Sequence, residues 1–285
     1  MKPASFDYLR PETLDEALSA LERCGADARI IAGGQSLGAM LNMRLVKPKV
    51  IIDINRLGEL SMISESDGAI VTGATVRQAD ALAAQQIRDR VPLLAYALPH
   101  VGHYQTRNRG TLGGSVAHAD PSAEIPLALA TLGGEVQLRS RRKTRWLPAT
   151  KFFQSALVTT REPEEMVSTL RWPGAAAGYR YAFREFAVRG GDFAIVAVAC
   201  VIFPGRDGTI RLGFGGCGQT PQIVNLPYSA AERDELTLKS LARDAASKIE
   251  CHSDMLASAD YRRNLAAVLA GDALHAACGG DAAHA

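Results

Sequence analysis

Ile30-Ile31-Ala32-Gly33-Gly34-Gln35-Ser36-Leu37-Gly38 reads as a short buried strand that runs into a glycine turn and then into an apolar segment. Two adjacent glycines let the backbone take positive φ and let a ligand approach where no Cβ stands in the way. Successive peptide N–H groups in such a turn form a concave anion site suited to a pyrophosphate. Two well-known phosphate loops are excluded here. Four residues lead from Gly33 to Gly38, but Ala39 stands where a P-loop needs Lys, and no G-x-G-x-x-G occurs in the stretch. Taken alone, the turn fits ordinary turn glycines as well as a ligand cradle.

A second glycine stretch lies downstream: Arg107-Asn108-Arg109-Gly110-Thr111-Leu112-Gly113-Gly114-Ser115-Val116-Ala117-His118-Ala119-Asp120-Pro121-Ser122-Ala123-Glu124. The two stretches read together as a dinucleotide diphosphate held between them. Gly33, Gly34, Gln35 and Ser36 offer backbone N–H groups, Ser36 adds a hydroxyl, and Thr111, Gly114 and Ser115 approach from the other side. Fixed backbone donors hold an anion without a lysine point charge.

The pair of stretches, with Arg189-Gly190-Gly191-Asp192-Phe193-Ala194-Ile195-Val196, resembles the FAD-binding medium subunit of the molybdenum hydroxylases, the xanthine dehydrogenase and carbon monoxide dehydrogenase family. The resemblance covers nearly the whole chain. It implies an α+β protein: a two-part FAD-binding domain of the PCMH type, then a smaller α+β C-terminal domain with an antiparallel sheet and helices. It places Ile31, Ala32, Gly33, Gly34, Gln35, Ser36, Leu37, Thr111, Gly114 and Ser115 at the FAD pyrophosphate, and Val101 and Gly102 beside the flavin. Glu124 matches the acidic position that binds the ribityl chain, and a carboxylate accepts hydroxyl hydrogen bonds well. Asp120 is a second candidate; its alternative is an N-cap for the helix after Pro121. Phe193 matches the position over the isoalloxazine ring, where several relatives carry Tyr; its alternative is a core aromatic at a strand start. Glu185 stands where some relatives have Lys, so no flavin contact transfers to it. The branch binds FAD noncovalently.

Expected boundaries follow the residue pattern. Residues 1–175 form the FAD-binding domain, with subdomains at about 1–58 and 59–175; Gly174–Gly178 is a linker; residues 178–285 form the C-terminal domain. Phe6–Tyr8, Arg29–Ala32 and Val50–Ile54 read as strands. Thr13-Leu14-Asp15-Glu16 is a capping box for a helix that Gly25 ends. Further strands are expected at Ala69–Thr72, Glu135–Leu138, Thr144–Leu147 and Met166–Trp172, with Thr75 capping a helix. Helices are expected from Pro92 to about His100 and over Ile125–Thr131. In the last domain, Asp192–Phe203 and Thr209–Phe214 form strands joined by a hairpin at Pro204–Gly208, then helices near 238–250 and 260–270, then a frayed tail from Cys278.

Composition narrows the class. The chain has 285 residues and 47% apolar content, enough for a sizeable core. A net charge of +2 argues against a nucleic-acid binder driven by bulk electrostatics. The first residues carry no apolar signal segment, and the longest apolar run, Ala194 to Phe203, is far too short for a membrane span. Five cysteines, none at C-x-x-C spacing, fit reduced thiols in the cytoplasm and suggest neither a zinc ribbon nor a cluster ligand set. His100, His103 and His118 lack ligand-spaced partners and read as packing or hydrogen-bonding groups. Five cations between Arg139 and Arg145 read as a solvated hairpin turn rather than a docking or anion site.

The resemblance implies that FAD is held on this chain, with a molybdenum-cofactor large subunit and a small [2Fe–2S] subunit as partners in a dimer of heterotrimers. The chain would relay electrons from the clusters to an outside acceptor (NAD, oxygen, a quinone or a protein). An N-heterocycle is the expected substrate, and no catalytic residue or metal ligand is expected here. A free-standing FAD oxidoreductase of the same superfamily and a nucleotide-binding module without redox activity are the alternatives.

Overall fold

The computed structural model describes residues 2–205, 208–228 and 234–279. Its first unit is a three-stranded parallel sheet. β1 (Asp7–Leu9) and β2 (Ala28–Ile31) flank the central β3 (Val50–Asp53), so that Val50 pairs with both Asp7 and Ala28. α1 (Leu14–Cys24) crosses between the outer strands and buries Leu14, Leu18 and Leu21 against Ile52 and Ile54. Thr13 caps α1 by accepting from Glu16 N–H at 3.2 Å, while the Glu16 carboxylate reaches back to Glu12 N–H at 2.9 Å. The reciprocal arm of the capping box thus closes one residue early. α2 (Leu37–Asn42) begins directly after the first glycine turn.

The second unit is a five-stranded antiparallel sheet in which β10, the last strand in sequence, lies in the middle. Its strands are β4 (Ile63–Ser66), β5 (Ala69–Gly73), β6 (Glu135–Arg139), β7 (Thr144–Pro148) and β10 (Met166–Pro173), in the order β4-β5-β10-β6-β7; β8 (Phe153–Ser155) and β9 (Val158–Thr159) make a small side ribbon. Trp172 on β10 is fully buried, and its indole N–H donates to Thr72 Oγ1 at 3.0 Å.

Between β5 and β6 the chain makes six short helices: α3 (Gln78–Ala83), α4 (Gln85–Arg90), α5 (Pro92–Ala97), α6 (Tyr104–Arg109), α7 (Leu112–His118) and α8 (Glu124–Leu132); α9 (Ala149–Phe152) follows β7. α5 ends at Ala97 and tightens into a 3₁₀ turn over Leu98–His100, where Pro99 supplies no N–H to an α-helical ladder. Thr75 caps no helix: α3 starts three residues later, and the Thr75 hydroxyl is buried without a partner. Every residue of α8 is buried, because α5 and α7 pack on it from one side and strands of the third sheet from the other. That explains why its sequence is apolar all round apart from Glu124 and Thr131.

The third sheet is an antiparallel meander of β11 (Arg180–Phe186), β12 (Val196–Phe203), β13 (Thr209–Gly215) and β14 (Gln222–Pro227). α10 (Glu235–Ser247) and α11 (Ala259–Gly279) pack together and cover it. The fold is therefore α+β, as expected, with three elements of this last domain displaced. β12 begins at Val196 rather than Asp192, because residues 189–195 form a bent loop closed by Asp192 N–H on Arg189 O and Ile195 N–H on Phe186 O. α10 starts at Glu235, where Asp234 accepts from Thr237 N–H at 3.0 Å. α11 continues past residue 270 to Gly279, its small Ala266, Ala270, Ala273 and Ala277 buried in the same core. Arg206 and Asp207 of the expected hairpin turn, and the tail from residue 280, lie outside the described residues.

The basic run turns out to be a hairpin between β6 and β7 in which four of the five charges are paired. Arg141 and Arg142 meet Glu22, Lys143 meets Glu162, and Arg145 meets the buried Glu165 at 2.7 Å. No helix of the described residues is long and apolar enough to cross a membrane.

Candidate functional site

The two glycine stretches meet. A Cβ on Gly33 would sit 2.2 Å from Arg109 O and 2.8 Å from Gly110 Cα, so only glycine permits the contact. Gly34 follows at φ 71°. The N–H groups of Gly33, Gly34, Gln35 and Ser36 donate to no other described residue. Four unengaged amides in one tight turn could hold an anion. Gln35 braces this turn by donating to Gly33 O at 3.1 Å, and Gly38 N–H closes it on Gly34 O at 2.9 Å.

The second stretch contributes differently. Four of its amides are already engaged, Leu112 N–H on Val76 O, Gly113 N–H on Ala74 O, Gly114 N–H on Thr111 Oγ1 and Ser115 N–H on Thr111 O, while the Thr111 N–H donates to no other described residue. What Thr111, Gly114 and Ser115 bring to the cleft is a close backbone wall and hydroxyl groups rather than a second set of free amides.

A polar brace holds the stretches in register, and the sequence reading missed it. Arg77 donates to Asn55 Oδ1 at 2.6 Å and to Arg109 O at 2.5 Å. Asn55 donates to Ala32 O at 2.7 Å and to Asp53 Oδ1 at 2.6 Å, and Tyr8 OH donates to Asp53 Oδ2. Burial works to raise the Asp53 carboxyl, but the hydrogen bonds from Tyr8 and Asn55 hold it below the ordinary carboxylate range. The anionic end thus stays charged beside the guanidinium that spans the cleft.

Asp120 and Glu124 follow α7. Asp120 caps no helix: its Oδ1 accepts from Ser122 N–H at 2.8 Å, closing a local turn, and Ala123 occupies the N-cap of α8. Glu124 opens α8 and is almost wholly buried; burial pushes its carboxyl up to about 7, with Asp120 adding to the rise. Glu185 on β11 is pushed up to about 8 by burial and by Glu124, and its Oε2 is buried without a partner. Glu124 thus lies between Asp120 and Glu185 electrostatically, and burial disfavours the charged form of both glutamates.

Val101 and Gly102 lie where the C-terminal sheet's loop comes down. A Cβ on Gly191 would sit 2.4 Å from His103 Cε1 and 3.1 Å from Gly102 O. Phe193, two residues on, is 65% exposed, so it is not a core aromatic, and Tyr104, Phe186 and Val188 are exposed as well. His100 packs at a tilt against Phe183 with ring centroids 5.2 Å apart; burial and Arg184 pull its pKa down. Burial likewise lowers His118. Among the described residues no group of His, Cys, Asp and Glu is arranged to hold a metal ion.

Comparison with known proteins bears on this geometry. Residues 4–175 match the family described as the FAD binding domain in molybdopterin dehydrogenase, and residues 181–277 match the CO dehydrogenase flavoprotein C-terminal domain. Fold and cradle thus define an FAD-dependent oxidoreductase subunit. The chain is 35% identical over 276 residues to a glyceraldehyde dehydrogenase medium chain of Sulfolobus acidocaldarius, covering 94% of this chain and 97% of that one. It is 40% identical over 202 residues to the 6-hydroxypseudooxynicotine dehydrogenase complex subunit alpha of Paenarthrobacter nicotinovorans, covering 71% and 68% of the two chains. Quinoline 2-oxidoreductase from Pseudomonas putida 86 has a chain that superposes with a TM-score of 0.90 at 34% identity, over 98% of this chain and 99% of that one. The protein belongs to the family of FAD-binding medium subunits of the molybdenum hydroxylases.

Proposed function

We propose that this chain is the electron-relay subunit of a cytoplasmic molybdenum hydroxylase. It would take electrons from [2Fe–2S] clusters of a small partner subunit and pass them to an external acceptor, while a large subunit carries the molybdenum cofactor and the substrate. The assembly would be a dimer of heterotrimers. The chain divides, on this reading, into residues 1–175 for FAD and 178–285 for the C-terminal domain. The observation that carries the reading is the cradle of free amides at Gly33–Ser36, pressed against Arg109 and Gly110.

FAD, when bound, supplies the redox capacity; the residues of this chain hold and orient it. Gly33, Gly34, Gln35 and Ser36 bind the diphosphate, with Ile31, Ala32 and Leu37 shaping the turn. Thr111, Gly114 and Ser115 form the opposite wall. Glu124, and Asp120 beside it, meet the ribityl hydroxyls. Val101, Gly102 and the loop bearing Phe193 flank the ring system. The name of the quinoline enzyme supports an N-heterocycle as substrate; the glyceraldehyde relative is the reason to test aldehydes beside it.

The test is anaerobic absorbance at the flavin bands with a panel of heterocycles and aldehydes. The three-chain assembly should bleach with a suitable substrate, whereas this chain alone should not; dithionite should bleach both. Reduction of the lone chain at a catalytic rate would replace the relay reading with that of a free-standing oxidoreductase.

A further inference from the structure

Cys217 and Cys251 are separated in sequence by a strand and a helix, yet the fold brings them together against one core. Cys217 lies fully buried in the turn between β13 and β14. Cys251 follows α10, partly exposed, and packs against the core that contains Cys217. Both of its neighbours are pinned to that same turn region. Gln222 forms a pair of hydrogen bonds with the backbone of Glu250, each 2.8 Å, and His252 N–H donates to Cys217 O at 3.0 Å. The Cys251 backbone is thereby fixed on both sides next to Cys217, and its side chain packs against the core that holds the buried thiol. Disulfides form readily only where the two Cβ vectors already face each other at short range.

We propose that Cys217 and Cys251 are an oxidisable thiol pair, which hydrogen peroxide converts to a disulfide across the β13–β14 turn and the α10–α11 connection. The partly exposed Cys251 sulfur attacks one peroxide oxygen; the O–O bond breaks, a proton is taken up by the departing oxygen, and water leaves behind a sulfenic acid. The Cys217 sulfur then attacks Cys251 Sγ. The S–O bond breaks, the hydroxyl leaves with the Cys217 proton as a second water, and the S–S bond forms. Two thiols lose two electrons and one peroxide gains them.

The order of the two sulfurs follows from their surroundings. Burial, joined by Cys251, pushes the Cys217 thiol up to about 12, against the opposing charges of Arg262 and Arg263. A thiol so placed is a poor first target for an oxidant but sits in line to resolve a sulfenic acid on its neighbour. Gly216, the residue before Cys217, donates its N–H to Pro121 O at 2.8 Å, and its own carbonyl accepts from Arg262 at 2.7 Å. The new bond would therefore stiffen the junction that carries the Asp120–Glu124 segment.

The inference is independent of which substrate the assembly oxidises. The full chain with its cofactor is treated with hydrogen peroxide, free thiols are blocked, and unreduced peptides are measured by mass spectrometry. A linked peptide joining Cys217 to Cys251, two hydrogens lighter than the separate pair, is expected. Cys251→Ser should abolish the link and leave Cys217 a free thiol. Cys251 found as sulfinic acid beside a free Cys217, or either residue linked to another cysteine, or both left unmodified, would overturn the proposal.

Discussion

The missing Cβ of Gly33 points at the carbonyl oxygen of Arg109, 2.2 Å away. The two glycine stretches are therefore one structure, and its weakest tolerance is for a single methyl group. Gly33→Ala should force them apart while leaving the three cores intact. A weakening of FAD binding of about tenfold or more, or ~1.4 kcal/mol, is expected in a fluorescence titration. Unchanged affinity would mean that the contact does not shape the cofactor site.

Arg77 ties Asn55 to the Arg109 carbonyl from a half-buried position. Arg77→Met keeps the aliphatic stem and removes both charge-assisted bonds. The loss should be about 1.5–3 kcal/mol of stability. FAD affinity should fall with it, because the brace holds the cleft at its working width. Thermal unfolding and the same titration check the two effects separately.

Glu185 supplies a pH signature. Its carboxyl titrates near 8 in the folded chain, raised by burial and by Glu124, against about 4.3 when unfolded. Between those values the folded chain holds a proton that the unfolded chain has released. Stability from this group is complete below the unfolded value and drains away as pH rises towards 8. Glu185→Gln should flatten the fall in melting temperature between about pH 5 and 8. Parallel pH curves for the two proteins would refute the assignment.

Asp254 and Arg262 predict the acid limb. Burial opposes ionisation of Asp254, but Ala257 N–H, the Arg262 guanidinium and Leu256 N–H together hold its carboxyl at about 2. The folded value is depressed, so the stabilisation is present above about pH 4, the unfolded value, and is lost as pH falls towards 2. Arg262 is 2% exposed and also binds the carbonyls of Ile195 and Gly216 at 2.6 and 2.7 Å. Arg262→Met removes the partner of all three oxygens and should cost about 3 kcal/mol at neutral pH. Acid unfolding should then begin at higher pH than in the native chain.

Local rules made the glycine turn, the Thr13 cap and most strands legible. Each depends on residues within a few positions: turn glycines, a capping hydroxyl, alternating apolar side chains. The Arg77 brace escaped because nothing local distinguishes an arginine in a loop, and its acceptor on Arg109 is 32 residues away. Glu185 was set aside on its residue type; its proximity to Glu124 arises only when β11 is laid beside the head of α8. The expected strand start at Asp192 failed for a related reason. Ala194 and Ile195 continue the apolar run of β12, but the Arg262 guanidinium claims the Ile195 carbonyl that a longer ladder would use. Residue type points to the cleft, and tertiary hydrogen bonds set its shape.

Helix α8 is buried on every side, apolar apart from Glu124 and Thr131, and is covered partly by β12 and β13, which come far later in the chain. On the ribosome it emerges before its cover exists. Synthesis at about 5–20 residues per second leaves that surface bare for several seconds. The nascent chain thus has a defined window in which it invites chaperones or self-association. A chain truncated after residue 175 should bind a hydrophobic dye that the full chain ignores.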